Sequence, residues 1–475
     1  MKIGLIGASY TAQSSAVADE ELFNWYAESN ETPGAQTKYS YFRTPGLLAF
    51  STLPESPVRG QCWTGLRYFA VGGTKFVEMD SAGNQTARGT IENDGLAVSI
   101  AASSIQLLIV SGGKAYCFTL ADNSLVEVTN SLAGIPMQVE YSDGYFIVAL
   151  QNSDKFQMSD ILDGISWPGL TVNAVSVFPE NIVSIKVIHR ELWIYGSAHS
   201  QAYYDSGSDN IFDVIPGAFI ETGSGATFGP CLLDNTNFWV NDDIRGARVC
   251  WRASGYTPQR ISTHAVETYL SALPSIAKLV SYAYQDAGHL FWVLYIPGAD
   301  CTWTYDVSSS FWSKRGVWDD TNAVYGPHWS WNHANAFGKH LVGAWNTGII
   351  YEMSRSYFDD NGTSIRRERR APTIVNEMER LYHSQLTLDF LTGVGPQPPL
   401  VDGNSDPRQP QCVLSWSDDR GMNWSNDHFL DCGFAGQYKT RVIQRRLGQS
   451  RYRVYRIVVS DPIDWVLVDG YLKIT

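Results

Sequence analysis

Tyr68-Phe69-Ala70-Val71-Gly72-Gly73-Thr74-Lys75-Phe76 and Leu107-Leu108-Ile109-Val110-Ser111-Gly112-Gly113-Lys114-Ala115-Tyr116 read alike: an apolar strand, a Gly-Gly turn, then a second short strand. β-branched and aromatic residues favour the pleated backbone, and glycine supplies the turn conformations closed to other residues. Looser copies follow at Gly144–Val148, Glu191–Ser197, Asn237–Asp242, His289–Leu294 and His340–Trp345. Anchors at 68, 107, 145, 192, 238, 291 and 340 lie 39, 38, 47, 46, 53 and 49 residues apart. A period of roughly 40–50 residues with no helical stretch between copies is the mark of four-stranded propeller blades. A blade cannot bury both faces alone; radial stacking buries them and keeps exposed edges short. The expectation is an all-β chain containing a β-propeller of seven blades. Two β-sandwiches with evenly spaced hairpins would give similar spacing.

Around this repeat three segments are expected. Residues 1–55 read as an N-terminal arm packing on another domain or subunit. Within it, Asp19–Tyr26 suits a short helix or a strand, and Pro45-Gly46 signals a turn. Residues 56–375 are the propeller. Residues 376–475 form a small C-terminal β-sandwich-like domain with strands at 386–390, 412–416, 440–443, 452–459 and 465–468, and the Pro/Gly stretch 393–399 is a long internal loop.

The composition agrees. The 475 residues are 44% hydrophobic and only 17% charged, which excludes a mostly disordered or fibrous chain. The excess lies in 16 Trp, 25 Tyr and 41 Gly, as short strands and tight turns require. Net charge is 35 minus 48, or -13, which argues against a surface devoted to nucleic acid. Apolar runs such as Tyr145–Leu150 are strand length, so no membrane-spanning or export segment is expected. The seven cysteines are spread without a CxxC pair and read as reduced, mostly buried thiols of a protein made in the cytosol.

Motifs for chemistry are sparse. Gly4-Leu5-Ile6-Gly7-Ala8 lacks the full dinucleotide-binding pattern, and no phosphate-loop, zinc-protease or nucleophile-elbow motif occurs. Asp242-Asp243 and Asp359-Asp360 read as solvated turns rather than a metal site. Ser262-Thr263-His264-Ala265-Val266-Glu267 reads as a helix or turn cap begun by Ser262 or Thr263, not as a catalytic group. Ser417, Asp419, Gly421 and Trp424 fit S-x-D-x-G-x-x-W, which resembles the structural Asp-box hairpin. No catalytic residue, cofactor or metal is expected.

One charge asymmetry stands out. Lys439, Arg441, Arg445, Arg446, Arg451, Arg453 and Arg456 fall in a stretch without an acid. In a regular strand Arg451, Arg453 and Tyr455 share one face. Such a face could grip phosphates, pair with an acidic neighbouring subunit, or be solvated. Arg441, Arg445, Arg446, Arg451 and Arg453 are therefore candidate interface residues. Trp25, Tyr26, Tyr41 and Phe42 join them as anchors of the arm.

Asn24-Trp25-Tyr26, then Tyr41-Phe42-Arg43-Thr44-Pro45-Gly46-Leu47, resembles the opening of the tail hub proteins of short-tailed phages of the P22 type, also called packaged DNA stabilisation or tail accessory proteins. Phe238-Trp239-Val240, Tyr256–Ile261 running into Ser262–Glu267, Thr304–Ser310, Leu447–Arg451, Val454–Ile457 and Ser460-Asp461-Pro462 follow in that family's order. The resemblance implies a non-enzymatic virion component, a late protein made in the host cytoplasm. It would close and extend the portal and adaptor channel, retain packaged DNA and form part of the ejection conduit. It further implies a homohexameric ring contacting a tail adaptor, a tail needle or plug and a fibre or spike, with non-specific contact to passing DNA. From the residues alone, a glycan-binding or glycan-cleaving propeller is the alternative, suggested by the Asp-box pattern and the abundant Trp.

Overall fold

Each of the seven anchors falls on the second strand of a blade; the first five blades are separate four-stranded antiparallel sheets, and the last two are parts of larger sheets. The computed structural model describes residues 2–129, 131–175, 177–207, 211–243, 246–395 and 409–474. Blade one runs Val58–Trp63, Tyr68–Gly72, Lys75–Met79 and Gln85–Thr90, and blades two to five occupy 99–127, 136–174, 184–220 and 231–260. Blade six spans 280–319 and carries an extra hairpin strand, Val324–Pro327, which lengthens the last interval of the repeat. Blade seven takes three strands from 330–354 and its fourth, Gly46–Thr52, from the N-terminal segment.

The ring is closed by packing. Seven apolar clusters each join two neighbouring blades: Phe69, Phe76, Leu107 and Phe118 between one and two, through to Val58, Tyr68, Leu341 and Ile350 between seven and one. Alternation along the strands sends one set of side chains to each neighbour, so both faces of every blade are dry. One connection is helical, where Ser262–Glu267 reads as a helix or turn cap. The helix His264–Ala272 lies between blades five and six, capped by the Thr263 hydroxyl. Its buried Val266 and Leu270 pack in the blade five–six core, with Tyr269 against it.

The C-terminal body is a sandwich. One sheet has the order Arg367–Arg370, Tyr452–Val459, Gln411–Ser417, His428–Asp431. The other has the order Trp25–Ser29, Tyr39–Arg43, Val466–Ile474, Leu381–Phe390, Val442–Arg445. Residues 19–26 thus run as short strands broken at Glu21 and Asn24, with no helix among them. The first sheet is continuous with blade six through a two-residue strand, Leu22–Phe23, which pairs with Lys314 on one side and with Glu368 and Arg369 on the other. Of the Pro/Gly stretch, Pro396 to Pro399 lie outside the described residues.

Asn24 holds this junction. Its backbone is left-handed (φ 58°), which Asn tolerates better than most residues. Its side-chain amide donates to the carbonyls of Gly316 and Arg366 at 2.8 Å each and accepts from the Gly316 amide at 3.0 Å. Beside it, Lys314 and Glu21, both almost fully buried, pair at 2.9 Å.

Asp359-Asp360 is a correction to the sequence reading. The pair forms a short strand parallel to Gly46–Thr52, and Asp360 is 3% exposed beneath it. Burial pushes its carboxyl up to about 7 despite the nearby Arg367 and Arg315.

Candidate interaction surface

The N-terminal hairpin presents two buried faces, and strand alternation decides which residue serves which body. Trp25, Ala27 and Tyr41 enter the sandwich core. Tyr26 points the other way, into the cluster between blades six and seven, with ring centroids 4.9 Å from His289 and 5.6 Å from Phe291; Phe42 packs against it at 5.9 Å. The Tyr41 hydroxyl accepts from the Gly7 amide at 2.7 Å and donates to the Gly7 carbonyl at 2.5 Å. That fixes the extended start of the chain, whose Ile3 and Leu5 are buried in the same core. The four aromatics bind the arm to both bodies of its own chain.

The basic stretch divides by side. Arg453 and Tyr455 face inward. Arg453 is 1% exposed and forks onto Asp418 at 2.6 and 2.8 Å while donating to the Leu447 carbonyl at 2.5 Å. The Tyr455 hydroxyl meets His383 Nδ1 at 2.9 Å, and burial beside Arg453 pushes that imidazole down to about 4. Arg451 lies just before the strand begins and is exposed, so the shared face expected for 451, 453 and 455 does not form. Arg456 lies against the Trp424 ring at 4.4 Å and reaches Asp427.

Arg441, Arg445, Arg446 and Arg451 are exposed, and none has an ion-pair partner among the described residues. Arg445 and Lys473 flank Gln385 across three hydrogen-bonded strands, so all three side chains project from the outer face of the second sheet. A shallow cavity of about 340 Å³ on that face is bounded by Arg441, Ile443, Thr387 and Tyr471. These unpaired cations make a positive surface on a chain of net charge -13.

The hairpin between Gln411–Ser417 and His428–Asp431 carries the Asp-box residues. Asp419 accepts from Ser417 Oγ at 2.7 Å and from the Asn423 amide at 2.8 Å, and these bonds hold its carboxyl down at about 2. Gly421 (φ 94°) sits where a Cβ would lie 2.5 Å from Asp19 Oδ2. Trp424 stacks under Arg456 and Arg370, so its work is packing.

Two features escaped the sequence reading because they exist only once the ring closes. The bore is lined by the inner strands and holds a Glu140–Lys186 pair at 2.7 Å. One mouth of the bore gathers Phe228, Tyr295, Trp331 and Trp345. The only trace in sequence is the pair of Trp residues flanking the seventh anchor.

Two all-β bodies, a seven-bladed propeller and a sandwich, are joined by the N-terminal segment, which pairs into both. Family models identify the chain more closely. Residues 1–357 match the model described as bacteriophage P22 Gp10, beta-propeller, and residues 366–475 match that described as bacteriophage P22 Gp10, beta-sandwich; the chain belongs to this family. It is a structural tail hub and DNA-stabilisation protein of the phage virion, made in the host cytoplasm, with a non-catalytic role among tail and portal components.

Comparison with curated proteins returns no match. Among solved structures, the N-terminal domain of Nup159 is similar at 11% identity and TM-score 0.42, covering 71% of this chain and 99% of that one. The computationally designed Ika8 protein is similar at 7% identity and TM-score 0.40, covering 65% and 99%. PorZ of Porphyromonas gingivalis is similar at 10% identity and TM-score 0.40, covering 73% and 44%.

Proposed function

We propose that the protein forms a homohexameric ring that closes and extends the channel below the portal and adaptor, retains packaged DNA and becomes part of the ejection conduit. In this reading the chain divides into an arm over 1–55, a propeller over 56–375 and a C-terminal β domain over 376–475. The arm serves both bodies, and the strand Arg367–Arg370 is already paired into the C-terminal sheet. The observation that carries the reading is the set of exposed arginines Arg441, Arg445, Arg446 and Arg451, without an ion-pair partner among the described residues, on a chain of net charge -13. Such a set suits an acidic surface of a neighbouring subunit or of the adaptor, because opposite potentials orient assembly and set its rate. The needle or plug and the fibre or spike are the further partners in this reading, and passing DNA is a non-specific one. No observation favours a glycan-directed propeller.

The test is reversal of three arginines together, Arg441→Glu, Arg445→Glu and Arg446→Glu, in the full chain. Native mass measurement and electron microscopy of reconstituted tails should show a folded protein that no longer joins the ring or the adaptor. A variant that assembles normally, or a wild-type chain that stays monomeric and fails to join tails, refutes the reading.

A further inference from the structure

At one end of the propeller axis, on the side of the blade-to-blade connections, the bore widens into a cavity of about 460 Å³. This lies within the range of preformed ligand sites, ~300–1,000 Å³. Its wall is aromatic. Phe228 comes from the connection between blades four and five, Tyr295 from blade six, and Trp331 and Trp345 from blade seven. Tyr295 lies 5.7 Å from Trp331 in an edge contact and 5.6 Å from Trp345 in a stacked one. Both indole N–H groups are engaged: Trp331 donates to the Val58 carbonyl at 2.6 Å, and Trp345 to the His328 carbonyl at 3.1 Å. Tyr295 and Trp331 are buried in this cluster, so the cup offers the partly exposed rings of Phe228 and Trp345 over an apolar floor, beside Leu96, Val110 and Met137.

Two charged side chains line it, Asp94 and Lys278. Asp94 is neutralised by the buried Arg59 guanidinium and accepts from the Leu96 amide at 3.0 Å. Lys278 is exposed at the rim, and its ammonium has no partner among the described residues. The uncompensated charge at this mouth is thus positive, on a chain of net charge -13. Elsewhere on the rim the turns at Gly95 and Gly298 carry no side chain and have no atom within 4 Å of the Cβ position, so a main chain can lie across them. Next to the cup, sharing Ala97, Phe228 and Val280 with it, a second cavity of about 230 Å³ carries the Glu140–Lys186 pair.

We propose that this mouth is a docking site for an extended acidic–hydrophobic segment of a partner protein. An aromatic or large aliphatic side chain fills the Phe228–Tyr295–Trp331–Trp345 cup, and an adjacent carboxylate pairs with Lys278. An apolar body supplies the affinity and the exposed Lys278 ammonium selects the flanking charge. The site belongs to one propeller and stands whether or not the chain forms a ring.

The experiment is fluorescence anisotropy on the full chain with a fluorescein-labelled peptide, Gly-Asp-Leu-Phe-Asp-Gly. Versions carry Asn or Lys for both Asp, or Ala for Phe. The acidic peptide should bind saturably at one site per chain, and the Ala and Asn versions at least tenfold more weakly. Lys278→Glu, at an exposed position, should reverse the preference toward the lysine peptide. Trp345→Ala should weaken every version tenfold or more. Absence of saturable binding, or binding that Lys278→Glu leaves unchanged, overturns the proposal. Binding of the neutral dye N-phenylnaphthylamine without binding of any peptide would also overturn it, marking the mouth as a small-molecule pocket.

Discussion

Adding one methyl group at Gly46 should loosen the whole ring. Gly46 begins the strand that completes blade seven, opposite Ser354. A Cβ there would lie 2.4 Å from the Asp359 carbonyl oxygen and 2.7 Å from that of Tyr357. Both contacts are backbone atoms, so no side-chain rotation can relieve them. Either the strand Gly46–Thr52 slides outward or the 357–360 segment does, and each movement opens contacts of the buried Leu47 with Met353. Overpacking of a well-fitted site costs about 1–3 kcal/mol, and rigid neighbours place Gly46→Ala near the upper end. With an unfolding entropy of ~2.1 cal/mol/K per residue over a propeller of about 300 residues, 3 kcal/mol lowers Tm by about 5 °C. Differential scanning calorimetry measures this, and limited proteolysis between blade one and the arm should accelerate in parallel. Gly169→Ala is the control, since no atom lies within 4 Å of its Cβ position and it is exposed; it should change stability by less than ~0.5 kcal/mol. A Gly46→Ala protein as stable as wild type would refute the view that this strand is locked in place.

Other outcomes follow from buried charge. Asp360, raised from 3.8 to about 7, binds its proton more tightly folded than unfolded, so its contribution is full below pH 4 and is lost as pH rises through 7. That shift corresponds to about 4 kcal/mol, and Asp360→Asn should flatten the urea-midpoint profile between pH 4 and 7. Asp418→Ala strands the buried Arg453 charge and should cost about 3–5 kcal/mol, whereas Arg453→Met leaves only a half-exposed Asp418 and should cost less. The double variant should recover part of the Asp418→Ala loss, which denaturation midpoints would show. If the exposed arginines meet an acidic protein, duplex DNA binding should be undetectable at physiological salt. A phosphate grip by all four would instead give a log K–log salt slope of about -3.6 by filter binding.

The propeller was legible because its evidence is local and repeated. Each blade's second strand is its most buried and carries the densest apolar run, as in Leu107–Val110 and Tyr145–Leu150, and those runs supplied the anchors. What stayed hidden was non-local. Nothing in Gly46–Thr52 says that it completes a sheet begun almost 300 residues later. Asp359-Asp360 looks like any polar turn until the parallel strand lies over it. The basic stretch was visible as composition, but its sidedness depends on where the strand starts. Arg453 falls inside Tyr452–Val459 and turns to the core, while Arg451 precedes it and stays in water. The aromatic mouth draws on connections and strands from different blades and has no linear signature.

The route of the arm explains why two β bodies behave as one. Propellers are often closed by sharing strands between the two chain ends within a single blade; here the same N-terminal segment first pairs into the sandwich and only then closes blade seven. Opening the propeller at its seam therefore requires withdrawing a strand whose other end is held by Trp25 and Tyr41 in a second core. The chain's start is tied to its end as well: the Ile3 amide bonds the Gly470 carbonyl at 3.2 Å, and Lys2 pairs with Asp469 at 3.1 Å. Between the bodies, the sheet passes without a break from blade six through Leu22–Phe23 to Arg367–Arg370. A load applied to the sandwich thus meets a ladder of backbone hydrogen bonds in shear, with Asn24 bridging both sides, instead of a flexible linker. For a tail hub and DNA-stabilisation protein, that connectivity puts the resistance in the covalent path of the arm, where losing one surface contact cannot release it.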